Sequence, residues 1–133
     1  MSYATTSRAT PRRGSRYRET EVLSATPGEL VVLVYDHLLA SLLRARAAIA
    51  QKDIESRVAE VGRARDAVAE LLATLDRDRG GQVASQLASL YAYFLRELSS
   101  LGVDPQVDRL DRIVAMVREL REAFVVAQRG GAR

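Results

Sequence analysis

The stretch that decides the fold is TPGELVVLVYDHLLASLL, Thr26 to Leu43. It opens with a helix start signal. Thr26 is a capping residue, Pro27 suits the first helical turn, and Glu29 stands three residues after the cap, where a capping box needs it. Leu30, Val31, Val32, Leu33, Val34, Tyr35, Leu38, Leu39, Leu42 and Leu43 follow, and they cover more than one face of the helix. A helix that is apolar nearly all round must be covered on several sides. The run is too short to span a bilayer, and Asp36 and His37 interrupt it. It therefore reads as a central bundle helix running from Pro27 to about Gln51.

The rest of the chain supplies three partners of similar length. After a break at Lys52 and Asp53, with Asp53 as the next cap, a second helix places Ile54, Val58, Val61, Val68, Leu72 and Leu75 in a stripe. Ala64, Ala67 and Leu71 flank that stripe and would admit a close neighbour. The glycines of DRDRGG, Asp76 to Gly81, are expected to end it. A third helix, about Gln82 to Leu101, carries one stripe of Val83, Leu87, Leu90, Phe94, Leu98 and Leu101. A second stripe of Ala84, Ala88, Tyr91 and Leu95 lies beside it. Such a double stripe signals either a wide core contact or a core contact plus an outward groove. Asp104 and Pro105 are expected to cap a fourth helix that ends near Gln128, with Leu110, Ile113, Val114, Val117, Leu120 and Phe124 facing inward. Short breaks between long helices predict an all-α, antiparallel four-helix bundle.

Composition agrees and removes function classes. With 133 residues, no cysteine, no tryptophan, 8 glycines and 3 prolines, the chain suits one helical domain without disulfides or thiolate metal sites. No secretory or membrane segment is visible, so a cytoplasmic protein is expected. The formal charge of +3 comes from the ends: residues 19–128 hold 13 basic against 17 acidic residues, a net −4. Residues 1–16, MSYATTSRATPRRGSR, read as a disordered arginine-rich tail and 129–133 as a second tail, leaving 17–128 as the folded body. Tyr17 to Ser24, YRETEVLS, forms a short apolar N-terminal segment that leads into the first helix or docks onto the bundle.

Catalytic patterns are missing. The one histidine, His37, has Val34 three residues before it, so the paired Glu-x-x-His set of di-metal bundles does not occur. No nucleophile, base and orienter come together, and Gly80-Gly81 follows no strand. The expectation is a non-enzyme with no cofactor and no metal. Its excess of apolar surface on the first and third helices fits a module that binds amphipathic segments.

These residues resemble one known family, the flagellar secretion chaperones (FliS). The resemblance runs from about Tyr17 to Phe124 and is carried by LSATPGELVVLVYDHLL (Leu23–Leu39), by Lys52–Leu98 with its LD…GG turn and LYAY element, and by VRELREAF (Val117–Phe124). His37 stands where the family usually has glycine, Ala92 where it has an acid, Phe124 where it has tryptophan, and Val34 where a leucine precedes the tyrosine.

The resemblance implies a cytoplasmic bundle that binds the C-terminal segment of flagellin, prevents premature polymerisation and delivers it to a component of the flagellar type III export gate. It implies no nucleic acid, no membrane insertion and a monomer or weak homodimer. Carried over residue by residue, it makes Tyr35, Leu39, Leu87, Tyr91 and Leu95 the flagellin-binding groove. Tyr17, Val22 and Leu23 become anchors of an N-terminal strap, and Asp36 would orient that strap or cap a backbone group. Two other readings stay open at this point: a regulatory or nucleic-acid-binding module acting through the arginine-rich tail, and a bundle that self-associates.

Overall fold

A computed structural model describes residues 25–131. The arginine-rich tail 1–16 and the strap residues Tyr17, Val22 and Leu23 lie outside the described residues. Four helices follow in order: α1 (Pro27–Ala50), α2 (Ile54–Ala73), α3 (Arg77–Val103) and α4 (Val107–Gly131). No strand occurs among the described residues. The expected all-α four-helix bundle is the architecture found.

Each local signal has a visible physical basis. The Thr26 amide donates to Glu29 Oε1 at 2.9 Å while the Glu29 amide donates to Thr26 Oγ1 at 3.2 Å, so two donors at the helix start are satisfied reciprocally. Helix α1 ends in a Schellman motif: the Asp53 amide donates to the Ala48 carbonyl and the Lys52 amide to the Ile49 carbonyl. Lys52 takes φ 58° to make this turn. Asp53 then serves as the N-cap of α2, accepting from the Ser56 amide at 3.1 Å and the Ser56 hydroxyl at 2.7 Å.

The connections are short, and side-chain pairs fix the directions. Arg46 forms a two-pronged pair with Asp111 (2.7 and 3.1 Å), and Arg121 pairs with Asp36. Partner numbers fall on α4 as they rise on α1, so α1 and α4 run antiparallel. Arg44 beside Glu60 (3.2 Å) ties α1 to α2, and Arg109 beside Glu97 (3.5 Å) ties α4 to α3. Arg57 donates to the Gly102 carbonyl at 3.1 Å, joining the start of α2 to the end of α3. The helices thus alternate up, down, up, down.

The core draws on all four helices: Tyr35, Leu38, Leu42 and Ala45; Val61, Ala64, Ala67, Val68 and Leu71; Tyr91, Phe94, Leu98 and Leu101; Leu110, Ile113, Val114 and Val117. Helix α1 is one wall of this core rather than its axis: Val32 and Leu33 are half-buried and Leu43 is exposed.

Four sequence expectations are corrected. The buried face of α2 is turned by roughly 60° from the expected stripe, at about 100° per residue. Ala64, Ala67 and Leu71 are buried, whereas Ile54 and Val58 are 64% and 51% exposed. The alanines win because their small side chains let α3 pack closest of all against α2. The glycines do not end α2, which stops at Ala73; Asp76 caps a single turn, and Gly81, at φ 55° and ψ −129°, kinks the chain into the long part of α3. Asp104 closes α3 instead of opening α4, and its carbonyl and carboxylate receive hydrogen bonds from Gln106. Helix α4 continues past Gln128 to Gly131, so residues 129–131 are helical.

Candidate binding site

Helix α3 shows why its two stripes merge. Ala84, Tyr91, Phe94, Leu98 and Leu101 are buried, and Leu87, Leu90 and Leu95 pack partly buried beside them. One wide face enters the core, and its N-terminal end runs out of partners where the single turn 77–80 bends away at Gly81. There a cavity of about 340 Å³ opens. Val31 of α1, Leu71 of α2, Leu75 in the connection that follows it, Val83, Ala84, Leu87 and Tyr91 of α3, and Phe124 of α4 form its apolar walls. Thr74, Asp76, Arg79 and Gly80 supply its rim.

The rim is polar, and Thr74 and Asp76 are already engaged, while the Arg79 guanidinium is exposed. The Thr74 hydroxyl donates to the Leu71 carbonyl at 3.1 Å, and Asp76 accepts from the Arg79 amide at 3.1 Å. Gly80 is needed on this wall, because a Cβ there would come within 2.6 Å of the Ala84 side chain. The cavity is therefore an apolar hollow with a polar lip, suited to the apolar side chains of a peptide rather than to a charged small molecule.

Beneath it, the Tyr35 and Tyr91 hydroxyls meet at 2.5 Å, joining α1 to α3 through the middle of the bundle. Both rings are buried, at 1% and 2% exposure. Burial pushes both phenols above the usual tyrosine range; for Tyr91 the bond to Tyr35 pushes the same way. Phe124 packs on Tyr35 with ring centroids 6.1 Å apart.

The sequence-derived groove residues fall in two settings. Leu87 and Tyr91 line the cavity, while Tyr35 lies in the core behind them. Leu39 and Leu95 are partly buried against the core and do not line the cavity. Asp36 does not cap a backbone group among the described residues; it pairs with Arg121 across α1 and α4. The hydrogen bond that Arg121 donates to Asp36 is the main influence holding its guanidinium above its ordinary range. His37 beside it is exposed.

Val31, Leu71, Leu75, Val83 and Phe124 were missing from the sequence-derived site. Their shared signal is the paired glycine: a kink at Gly81 uncovers whatever lies between the end of α2 and the start of α3. Among the described residues no group of three or more His, Cys, Asp or Glu could hold a metal ion. Nor is any described helix long and apolar enough to cross a membrane.

Comparison with known proteins gives this architecture a family. Residues 10–130 match the family described as flagellar protein FliS. The flagellar secretion chaperone FliS of Campylobacter jejuni is 32% identical over 81% of this chain and 84% of its own length. The flagellar secretion chaperone FliS of Salmonella typhimurium is 27% identical over 80% of this chain and 79% of its own. That of Bacillus subtilis is also 27% identical, over 81% of this chain and 80% of its own. With the family match spanning nearly the whole chain and the four-helix bundle in place, this chain belongs to the FliS family of flagellar secretion chaperones.

Proposed function

We propose that this protein binds the C-terminal segment of flagellin in the cytoplasm, keeps it from polymerising and passes it to the flagellar type III export apparatus, without catalysing a reaction. The observation that carries this reading is the apolar cavity at the Gly81 kink, together with the name that the relatives share. A subunit that assembles through apolar helix faces must hide them until export, and seating those side chains in an apolar hollow does so. Ordering a flexible segment costs free energy, so an apolar site is what makes capture favourable. In this reading Leu87 and Tyr91 act within the cavity, with Leu39, Leu95 and Tyr35 supporting it, and Tyr17, Val22 and Leu23 act as a displaceable strap.

The test is titration calorimetry with a synthetic peptide of the host flagellin's C-terminal segment. Binding with a negative heat-capacity change is expected. Val83 lines the cavity yet is 64% exposed, so Val83→Asp should leave the thermal midpoint nearly unchanged while weakening the peptide at least about tenfold. A variant that binds as well as wild type would move the site elsewhere.

A further inference from the structure

We infer that the end of the bundle where the α1–α2 and α3–α4 connections meet is a second docking surface, for an acidic, aliphatic segment of another protein. A cavity of about 280 Å³ lies there, with Ile49, Ile54 and Pro105 as apolar walls and Lys52, Asp53 and Arg57 as its charged residues. The apolar surface continues outside it. Ile54 and Val58, one turn apart on α2, are 64% and 51% exposed. Val103, next to the Gly102 whose carbonyl Arg57 holds, is 86% exposed. Contiguous apolar exposure of this kind marks a contact surface.

The charges say what kind of segment fits. Asp53 turns both carboxylate oxygens to Ser56, at 3.1 and 2.7 Å, and the nearby Asp104 accepts from the Gln106 amide group. Lys52 and Arg57 form no ion pair among the described residues. Arg57 is half-buried, donates to the Gly102 carbonyl at 3.1 Å, and has its Nε buried without an acceptor among the described residues. A charge so placed is stabilised by an anion close by. Lys52 brings a second cation to the cavity on left-handed backbone, φ 58°, which glycine adopts without strain. Strained residues of this kind cluster at binding sites.

The uncharted ends of the chain do not supply that anion. Lys52 lies roughly 38 Å from Pro27 along α1, at about 1.5 Å per residue. Glu19 and Glu21 stand eight and six residues before Pro27, so even a fully stretched chain carries them no further than about 29 Å. Residues 1–18 hold no acid, and residues 132–133, which follow the far end of α4, hold no acidic side chain. A carboxylate paired with Lys52 and Arg57 therefore comes from another molecule. The length of α2, roughly 30 Å, separates this surface from the Gly81 cavity, so both can be filled at once and the inference does not depend on the client proposed above.

The test is amide NMR of the nitrogen-labelled full chain, titrated with a blocked peptide of leucine and glutamate and with the same peptide carrying glutamine for glutamate. Shifts centred on residues 49–58 and 102–104 are expected, with the glutamine peptide binding about tenfold more weakly. Lys52→Gly keeps the turn, because glycine takes φ 58° readily. It should weaken the glutamate peptide about 2- to 5-fold without lowering the thermal midpoint. Ile54→Asp places an acid in the first turn of α2, where a helix favours it, and should weaken the same peptide at least about tenfold. No shifts at this end, shifts confined to the Gly81 cavity, or equal affinity for the two peptides overturns the inference. A concentration-dependent dimer that Ile54→Asp dissolves also overturns it, since the surface then belongs to a second copy of this chain.

Discussion

Two residues hold left-handed backbone, and they answer to substitution in opposite directions. Lys52 adopts φ 58° to close the Schellman turn after α1, a conformation that costs a residue with a Cβ about 1 kcal/mol. Lys52→Gly should therefore stabilise the fold, raising the thermal midpoint by a few degrees, since about 1 kcal/mol moves a domain of this size by roughly 3–6 °C. Gly81 sits at φ 55° and ψ −129°, which only glycine adopts without strain. Nothing lies within 4 Å of a Cβ built there, so Gly81→Ala isolates the backbone term and should destabilise by about 1–3 kcal/mol in denaturant melts. An unchanged Gly81→Ala midpoint would mean that the kink relaxes into regular helix.

The pairs between α1 and α4 set a prediction about pH. Asp36 and Asp111 meet Arg121 and Arg46 at matching intervals of ten residues, roughly 15 Å along each helix. The bond to Arg46 holds the Asp111 carboxyl below its usual range, and the bonds to Ser56 do the same for Asp53. A carboxyl whose folded pKa is depressed adds stability above its unfolded value of about 3.9, and that stability is lost as pH falls through the folded value. Asp111→Asn should melt below wild type at neutral pH, and the gap should close below about pH 4. Because the Asp111 and Arg46 side chains are nearly half exposed to solvent, added salt should also narrow it. A gap that persists in acid would point to packing instead.

Elements also show what the sequence made legible. Caps at Thr26 and Asp53 were readable because they depend on three or four neighbours in the chain. The burial of α4 was readable because Leu110, Ile113, Val114 and Val117 leave no rival face. Helix α2 was not, since residue size misleads there: the bulky Ile54 and Val58 lose the core to Ala64 and Ala67, and only the closeness of α3 decides it. The cavity lay further from view. Its walls come from α1, α2, α3 and α4, and what exposes them is one glycine dihedral.

Across the molecule, the paired phenols span the bundle from α1 to α3, and their ionisation is a reporter of global integrity. Burial raises both above the ordinary tyrosine value of about 10. An acid whose folded pKa is raised contributes stability that is complete below the unfolded value and fades as pH climbs past it. Tyrosinate absorbance should thus show Tyr35 and Tyr91 ionising only together with loss of helical circular dichroism, above about pH 10. Replacing both with phenylalanine should move the alkaline unfolding upward. Early, reversible ionisation of all five tyrosines with the helices intact would contradict their burial.

The Phe124 wall has a consequence for the order of events at the ribosome. The cavity borrows one side from α4, the helix made last of the four, and α1 and α4 are joined by Asp36–Arg121 and Arg46–Asp111. A nascent chain that has released only α1 to α3 holds the Tyr35–Tyr91 pair without the ring that packs on Tyr35. Domains are completed as their last contacts emerge. On the proposed function, translation itself thus delays client capture: the hollow forms only after α4 has left the exit tunnel and closed the ring of helices.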